Sequence, residues 1–200
     1  MRPPRLLVGL TGGIGSGKST ALKAFSRRGT NTLSLDQIVR EQARPGNDAW
    51  KAIKKAFPRF VDENGGIDRK RLGSYVFARP SARKRLERVT HPLVIAEMNR
   101  LVSRMHGVVI VDVPLLFEAR LSHLFDVSVV VTTKHQARRV SKRDRLSRGE
   151  IARRLKAQLP LSKKEGLADI VLENDGTKND LNKKVARLDA GLQLLYGGTR

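Results

Sequence analysis

Residues 12–19 read Gly12-Gly13-Ile14-Gly15-Ser16-Gly17-Lys18-Ser19, which matches the spacing G-x-x-x-x-G-K-[ST]. Glycines at these positions let the backbone curl until successive N–H groups point inward around a phosphate. The motif works only with a strand before it and a helix after it, because the helix N-terminus adds its positive end to the same anion. Residues 6–10 supply the strand as a short apolar run that turns at Thr11-Gly12-Gly13. Residues 18–28 supply the helix, with Ala21, Leu22 and Phe25 on one face and Gly29 as its stop. At an average Gly usage of ~7%, chance produces the four fixed positions on the order of once per hundred chains of this length, even without that context. A P-loop is therefore expected. Lys18 would reach the β- and γ-phosphates of a nucleoside triphosphate, and the Ser19 hydroxyl would hold Mg²⁺.

The remaining chain alternates strands and helices. Residues 31–35 read as a second strand, residues 108–112 (Val-Val-Ile-Val-Asp) as the strongest one, and residues 126–133 and 169–173 as two more, followed by a terminal helix to about residue 195. Continuous β-branched runs separated by helices imply parallel β-α-β units covered on both faces. The fold class is α/β, with a parallel sheet of about five strands flanked by helices. Residues 37–106 interrupt it with amphipathic helical stretches, punctuated by Pro45-Gly46, Pro58, Asn64-Gly65-Gly66, Pro80 and Pro92. This is a helical insertion, and Trp50 and Phe57 are its simplest core residues. Residues 135–159 read as an extended basic helical region.

Composition narrows the setting. No run approaches the roughly 18 apolar residues of a membrane span. There are no cysteines, which excludes disulfides and thiolate zinc sites and fits a reducing compartment; the expected location is cytoplasmic, with an organellar one as the alternative. No secretory leader pattern opens the sequence. Forty Lys and Arg against nineteen Asp and Glu leave a net charge of +21, which attracts polyanions. The few aromatics fall mostly before the most basic segment instead of interleaving with it, so a phosphate-rich small molecule fits better than nucleic acid.

Several side chains can carry or support phosphoryl transfer. Asp36, read as ending the second strand, either orients an acceptor hydroxyl or caps the helix that starts at Gln37. Asp112 is either a magnesium-facing carboxylate or a strand-terminal cap. Arg139 and Arg143, four apart on one helical face, either clamp phosphates or face solvent. His91, before Pro92, either contacts a ligand or caps a helix, and His106, His123 and His135 form no metal spacing. The segment Pro114-Leu115-Leu116-Phe117-Glu118 reads as an apolar packing turn.

Taken together, residues 10–20, Asp36, His91-Pro92, Val113-Pro-Leu-Leu-Phe-Glu118, Gln136-x-x-Arg139-x-x-x-Arg143-Asp144, and Ala168-Asp169 before Asn174 resemble the dephospho-CoA kinases over residues 6–195. The resemblance implies transfer of the ATP γ-phosphate to the ribose 3′-hydroxyl of dephospho-CoA. It also implies a nucleotide core of residues 1–36 and 107–200, a lid at about 121–159, and a CoA-binding helical domain of residues 37–106. By motif match, Lys18, Asp36, Arg139 and Arg143 become the catalytic set, with Asp36 as base or acceptor-orienting carboxylate. Residues 12–20 (Gly12, Gly13, Ile14, Gly15, Ser16, Gly17, Lys18, Ser19 and Thr20) would bind ATP, with Asn174 near its adenine. Thr11, Asp36, His91 and Leu115 would meet the acceptor, and Ser19 and Asp112 would hold the metal. A monomer or small homo-oligomer is expected. Where the family often shows Asp-x-Asp after the second strand, this chain has Ser34, leaving Asp36 as the one carboxylate there.

Three other classes compete. Another P-loop nucleoside or nucleotide kinase would share everything but the insertion. A GTPase would explain Asp62-Glu-Asn-Gly65 (D-x-x-G) and Thr177-Lys-Asn-Asp180 (T-K-x-D), although both stand in the wrong context. A basic nucleic-acid-binding ATPase would exploit the net charge.

Overall fold

Alternation of strands and helices favours parallel pairing in one sheet, and this chain's strands pair so. The computed structural model describes residues 5–135 and 158–198. Strands β1 (Arg5–Gly12), β2 (Asn31–Ser34), β3 (Gly107–Asp112), β4 (Val127–Thr132) and β5 (Ile170–Glu173) form one parallel sheet in the order β2-β3-β1-β4-β5. The connection from β1 to β2 runs toward one edge and that from β3 to β4 crosses past β1 toward the other, so β1 stands at the switch point of the strand order, where open α/β sheets bind ligands at their carboxyl ends. Residues 108–111 are no more than 2% exposed, so both faces of this strand are covered. Helices α1 (Lys18–Arg27) and α7 (Lys178–Gly198) pack on one face, where Phe25, Leu181, Val185 and Leu192 share a core with Val8, Leu10, Ile110 and Val129. Each such buried aliphatic side chain is worth ~1.5–3 kcal/mol. A shorter helix, α6 (Leu161–Leu167), packs against β4.

The chain divides into two compact units, residues 1–34 with 105–200, and residues 35–104. In the second unit, α2 (Leu35–Gln42), α3 (Asp48–Ala56) and α4 (Arg69–Phe77) each pack on the long α5 (Pro80–Val102) around Ile53, Phe57, Phe60, Leu72, Val76 and Ala82. Trp50, expected in this core, is half-buried; its indole N–H donates to the Gly65 carbonyl at 2.7 Å.

Four expectations are corrected. β1 runs on through Thr11 and Gly12, which pair with Val130 and Val131, so the turn begins at Gly13. β2 ends at Ser34, and Asp36 is the second residue of α2. A carboxylate is favoured there by the exposed amides of the first turn. Pro92 does not break a helix: α5 continues through it, and buried Val94, Met98 and Val102 beyond it offset the one backbone hydrogen bond that proline forfeits. His91 is consequently mid-helix and caps nothing. Within the lid expected at about 121–159, residues 127–132 are the buried strand β4 of the sheet, and residues 136–157 lie outside the described residues.

The two GTPase-like fragments have local structural roles. Asp62 Oδ1 accepts the N–H groups of Asn64 and Gly66 at 3.0 and 2.8 Å, closing a polar turn. Asp180 Oδ2 accepts the Thr177 N–H at 2.9 Å, and the Thr177 hydroxyl accepts the Asp180 N–H at 3.2 Å. That reciprocal pair caps α7.

Candidate active site

The carboxyl edge of the sheet is built by register. Asp112 lies opposite both Leu10 and Ser34, so the last residue of β3 stands beside the point where β1 delivers the Gly-rich turn. Gly17 adopts φ +94° immediately before α1, and a Cβ there would lie 2.0 Å from Asn174 Nδ2. Only glycine meets both demands. A Cβ on Gly12 would lie 2.6 Å from the Val131 carbonyl oxygen and 2.7 Å from Ser16 Oγ. The turn is thus wrapped against its neighbours too closely for any side chain at its two ends. One internal bond, from the Ser16 N–H to the Gly13 carbonyl at 3.1 Å, holds its curl.

This loop suits a polyphosphate. The N–H groups of Lys18 and Ser19 open α1 and have no intrahelical acceptor. The Ser16 hydroxyl is buried without a hydrogen-bond partner, which is unfavourable unless something polar enters the loop. Lys18 is ion-paired to Asp112, both side chains being nearly buried. The pair keeps the ammonium at the loop mouth, and an arriving polyphosphate can take it over. For a divalent ion, the exposed Ser19 hydroxyl and the Asp112 carboxylate are a hard-oxygen pair. Among the described residues, no group of three or more His, Asp, Glu or Cys could hold a metal. Such a site fits Mg²⁺, which keeps several waters and takes phosphate oxygens alongside one or two carboxylates.

Asn174, expected near the adenine, is 6% exposed and donates through Nδ2 to the Ser16 carbonyl at 2.7 Å. Its backbone N–H bonds to Thr132, so β5 clamps the phosphate loop from behind. Thr11 is fully buried, with its hydroxyl donating to the Pro114 carbonyl at 3.3 Å, while Leu115 is 40% exposed. Asp36 is exposed in the first turn of α2, and His91 is half-buried on α5; both belong to the second unit. Arg139 and Arg143 lie outside the described residues.

A buried ion pair was missed by the reading of the sequence. Lys164 on α6 is fully buried and reaches Glu118 at 2.8 Å and the Pro114 carbonyl at 3.2 Å. Glu118 Oε1 also accepts the Leu159 N–H at 2.7 Å. Pro114 therefore receives donors from both Thr11 and Lys164, which ties the strand leading into the phosphate loop to the segment 158–167. Glu118 carried a signal, a carboxylate ending an otherwise apolar segment. Lys164 carried none, since Leu161-Ser-Lys-Lys-Glu-Gly-Leu reads as a solvated helix.

Comparison with known proteins agrees with this geometry. The chain is 40% identical over 189 residues to the dephospho-CoA kinase of Geobacter sulfurreducens, covering 91% of this chain and 96% of that one. The crystal structure of TT1252 from Thermus thermophilus superimposes with a TM-score of 0.83 at 34% identity, over 96% of this chain and 99% of that one. The dephospho-CoA kinase from Campylobacter jejuni, at 24% identity and a TM-score of 0.62 over 94% of this chain and 98% of that one, shares the fold. The family model described as dephospho-CoA kinase matches residues 6–180, a span that includes the phosphate loop, Asp36, Asp112, Glu118, Lys164 and Asn174. With a P-loop between β1 and α1 of a five-stranded parallel sheet, and with that match along most of its length, the chain belongs to the dephospho-CoA kinase family.

Proposed function

We propose that this chain transfers the γ-phosphoryl group of ATP to the ribose 3′-hydroxyl of dephospho-CoA, producing coenzyme A and ADP. It does so as a soluble cytoplasmic monomer or small homo-oligomer. The observation that carries the reading is the preformed phosphate loop, with its unpartnered Ser16 hydroxyl and first-turn amides. In the transfer, the bond from the γ-phosphorus to the bridging oxygen of ADP breaks and a bond to the ribose oxygen forms. The hydroxyl proton passes to the Asp36 carboxylate or to water beside it. Asp36 thus serves as base or as the group that orients the acceptor, which is most of what phosphoryl transfer requires beyond charge stabilisation. Lys18 leaves Asp112 for the β- and γ-phosphates, and the loop amides hold the phosphates in line. Mg²⁺, held by Ser19 and Asp112, would neutralise charge on the phosphate oxygens. Residues 35–104 form the acceptor domain, with His91 and Leu115 as acceptor contacts together with the loop-supporting Thr11. Arg139 and Arg143 clamp the transferring group.

The reading is tested by a coupled ADP-release assay with dephospho-CoA, AMP, uridine and shikimate as acceptors. Dephospho-CoA is expected to be turned over with far the highest kcat/KM. Preference for any of the other three would reject this assignment in favour of a different P-loop kinase.

A further inference from the structure

The helical unit contains a pocket of about 510 Å³ whose chemistry the reaction above does not use. Its wall is built by α3, the turn after it, α4 and the start of α5, and Phe57, Arg59, Tyr75, Ser81 and Arg85 line it. The arginines are organised from below by aromatic rings. The Arg59 guanidinium lies 3.9 Å from the Tyr75 ring centroid and 4.8 Å from that of Phe60. Arg79 lies 4.5 Å from Tyr75, and Arg85 lies 5.5 Å from Phe57. Stacking of this kind holds a guanidinium plane in place and leaves its N–H edges free for a planar oxyanion.

Two observations show that these charges are uncompensated. Among the described residues, no Asp or Glu forms an ion pair with Arg59, Arg79 or Arg85, whereas the neighbouring Arg71 and Arg83 pair with Asp68 and Glu87. The first turn of α5, from which Ser81 faces the pocket, carries no acidic residue. Arg59, Arg79 and Arg85 are exposed, so water screens their mutual repulsion, and an anion entering the concavity gains from their combined charge. Tyr75 already carries two guanidiniums, so the pocket presents donor edges instead of an open ring for a base to stack on.

We propose that this pocket is a second anion site, separate from the phosphate loop, and that it takes a phosphate or diphosphate group through Arg59 and Arg85, with Arg79 adding charge. Such a group has two sources: the diphosphate bridge of the acceptor itself, or a separate phosphate-bearing small molecule. The first source rests on the kinase reading; the second does not.

The test uses the full chain with its phosphate loop saturated by a non-hydrolysable ATP analogue and magnesium, titrated calorimetrically with inorganic pyrophosphate. Wild type is expected to bind one further pyrophosphate. Arg59→Gln/Arg85→Gln is expected to weaken that binding by about tenfold or more, as the loss of two charge-assisted contacts implies. Arg85→Lys, which keeps the charge and loses the fork, is expected to fall between them, and it serves alone if the double variant does not fold. If the KM for dephospho-CoA rises in parallel with kcat unchanged, the acceptor's diphosphate is the ligand. If KM stays constant while pyrophosphate binding is lost, the ligand is a separate molecule. No pyrophosphate uptake with the loop filled, or equal affinity in wild type and variants, overturns the proposal. Absence of any turnover of dephospho-CoA would overturn the kinase reading and leave the pyrophosphate result standing.

Discussion

Lys164→Met removes a cation that has no water to replace it. The lysine is 0% exposed and its partner Glu118 is 13% exposed, with 2.8 Å between the charged atoms. At an effective dielectric of about 20, a pair at that distance attracts with ~6 kcal/mol, part of which offsets the cost of taking both ions out of water. Methionine fills nearly the same volume, so the loss is electrostatic and not a cavity. Glu118 keeps one donor, the Leu159 N–H, and Pro114 keeps the Thr11 hydroxyl. A carboxylate left inside without its counter-charge costs ~3–5 kcal/mol, a large share of the ~5–15 kcal/mol that holds a typical domain together. Adding Glu118→Leu to make a double variant removes the orphan charge. It then leaves only the Leu159 amide without an acceptor, a cost of ~1–3 kcal/mol. Urea unfolding followed by circular dichroism, with unchanged m-values, reads both numbers. The double variant is expected to be more stable than Lys164→Met alone. If Lys164→Met lies within ~0.5 kcal/mol of wild type, or the double variant is as unstable as the sum of its parts, the pair is not coupled and this account of the post-β3 segment is wrong.

Four further outcomes are expected. Lys18→Ala should lower kcat by about 10²–10³ with the far-UV spectrum retained, as loss of one preorganised charge on the phosphates implies; retained turnover would refute the loop assignment. Asp36→Asn should lower kcat by ~10²–10⁴ with little change in ATP affinity, and an unchanged kcat would reduce Asp36 to a helix-start residue. Gly17→Ala puts a methyl 2.0 Å from Asn174 Nδ2 at a left-handed φ; strain of ~1–2 kcal/mol together with release of the Asn174 clamp should weaken ATP binding more than it lowers Tm, measured by nucleotide titration and thermal melts. The Asp169 carboxyl is held below the usual carboxylate range, chiefly by the Ser128 hydroxyl and then by the Ser128 N–H. The stability it contributes is present above its unfolded value near ~3.9 and is lost as pH falls through the lowered folded value. Ser128→Ala should therefore show a constant deficit between about pH 5 and 7 that narrows below pH 4, and a deficit that widened in acid would contradict the assignment.

The phosphate loop was legible because its geometry is local. Eight consecutive residues set the turn, an apolar run sets the strand before it, and the periodicity of Ala21 and Phe25 sets the helix after it. The β-branched runs at residues 108–111 and 127–131 likewise announced buried parallel strands, since few sequences that apolar survive outside a sheet covered on both sides. The helical insertion was legible in kind, but its internal boundaries were not. Pro92 reads as a stop in isolation, and only the packing of Val94, Met98 and Val102 carries α5 past it. Asp36 moved from strand end to helix start for a related reason, as β2 pairs no further than Ser34.

What remained to tertiary structure was every contact between residues far apart in the chain. Asn174 reaches Ser16 across 158 positions, Lys18 meets Asp112 across 94, and Lys164 meets Glu118 within an interior that its own helix does not foretell. A lysine in a short polar helix looks the same whether it faces solvent or a buried carboxylate. Local patterning determines which segments curl or extend, because backbone preferences act over a few residues. Which charges end up sharing a dry environment is decided only when the strand order brings separate segments to one edge of the sheet, where removing water makes pairing obligatory.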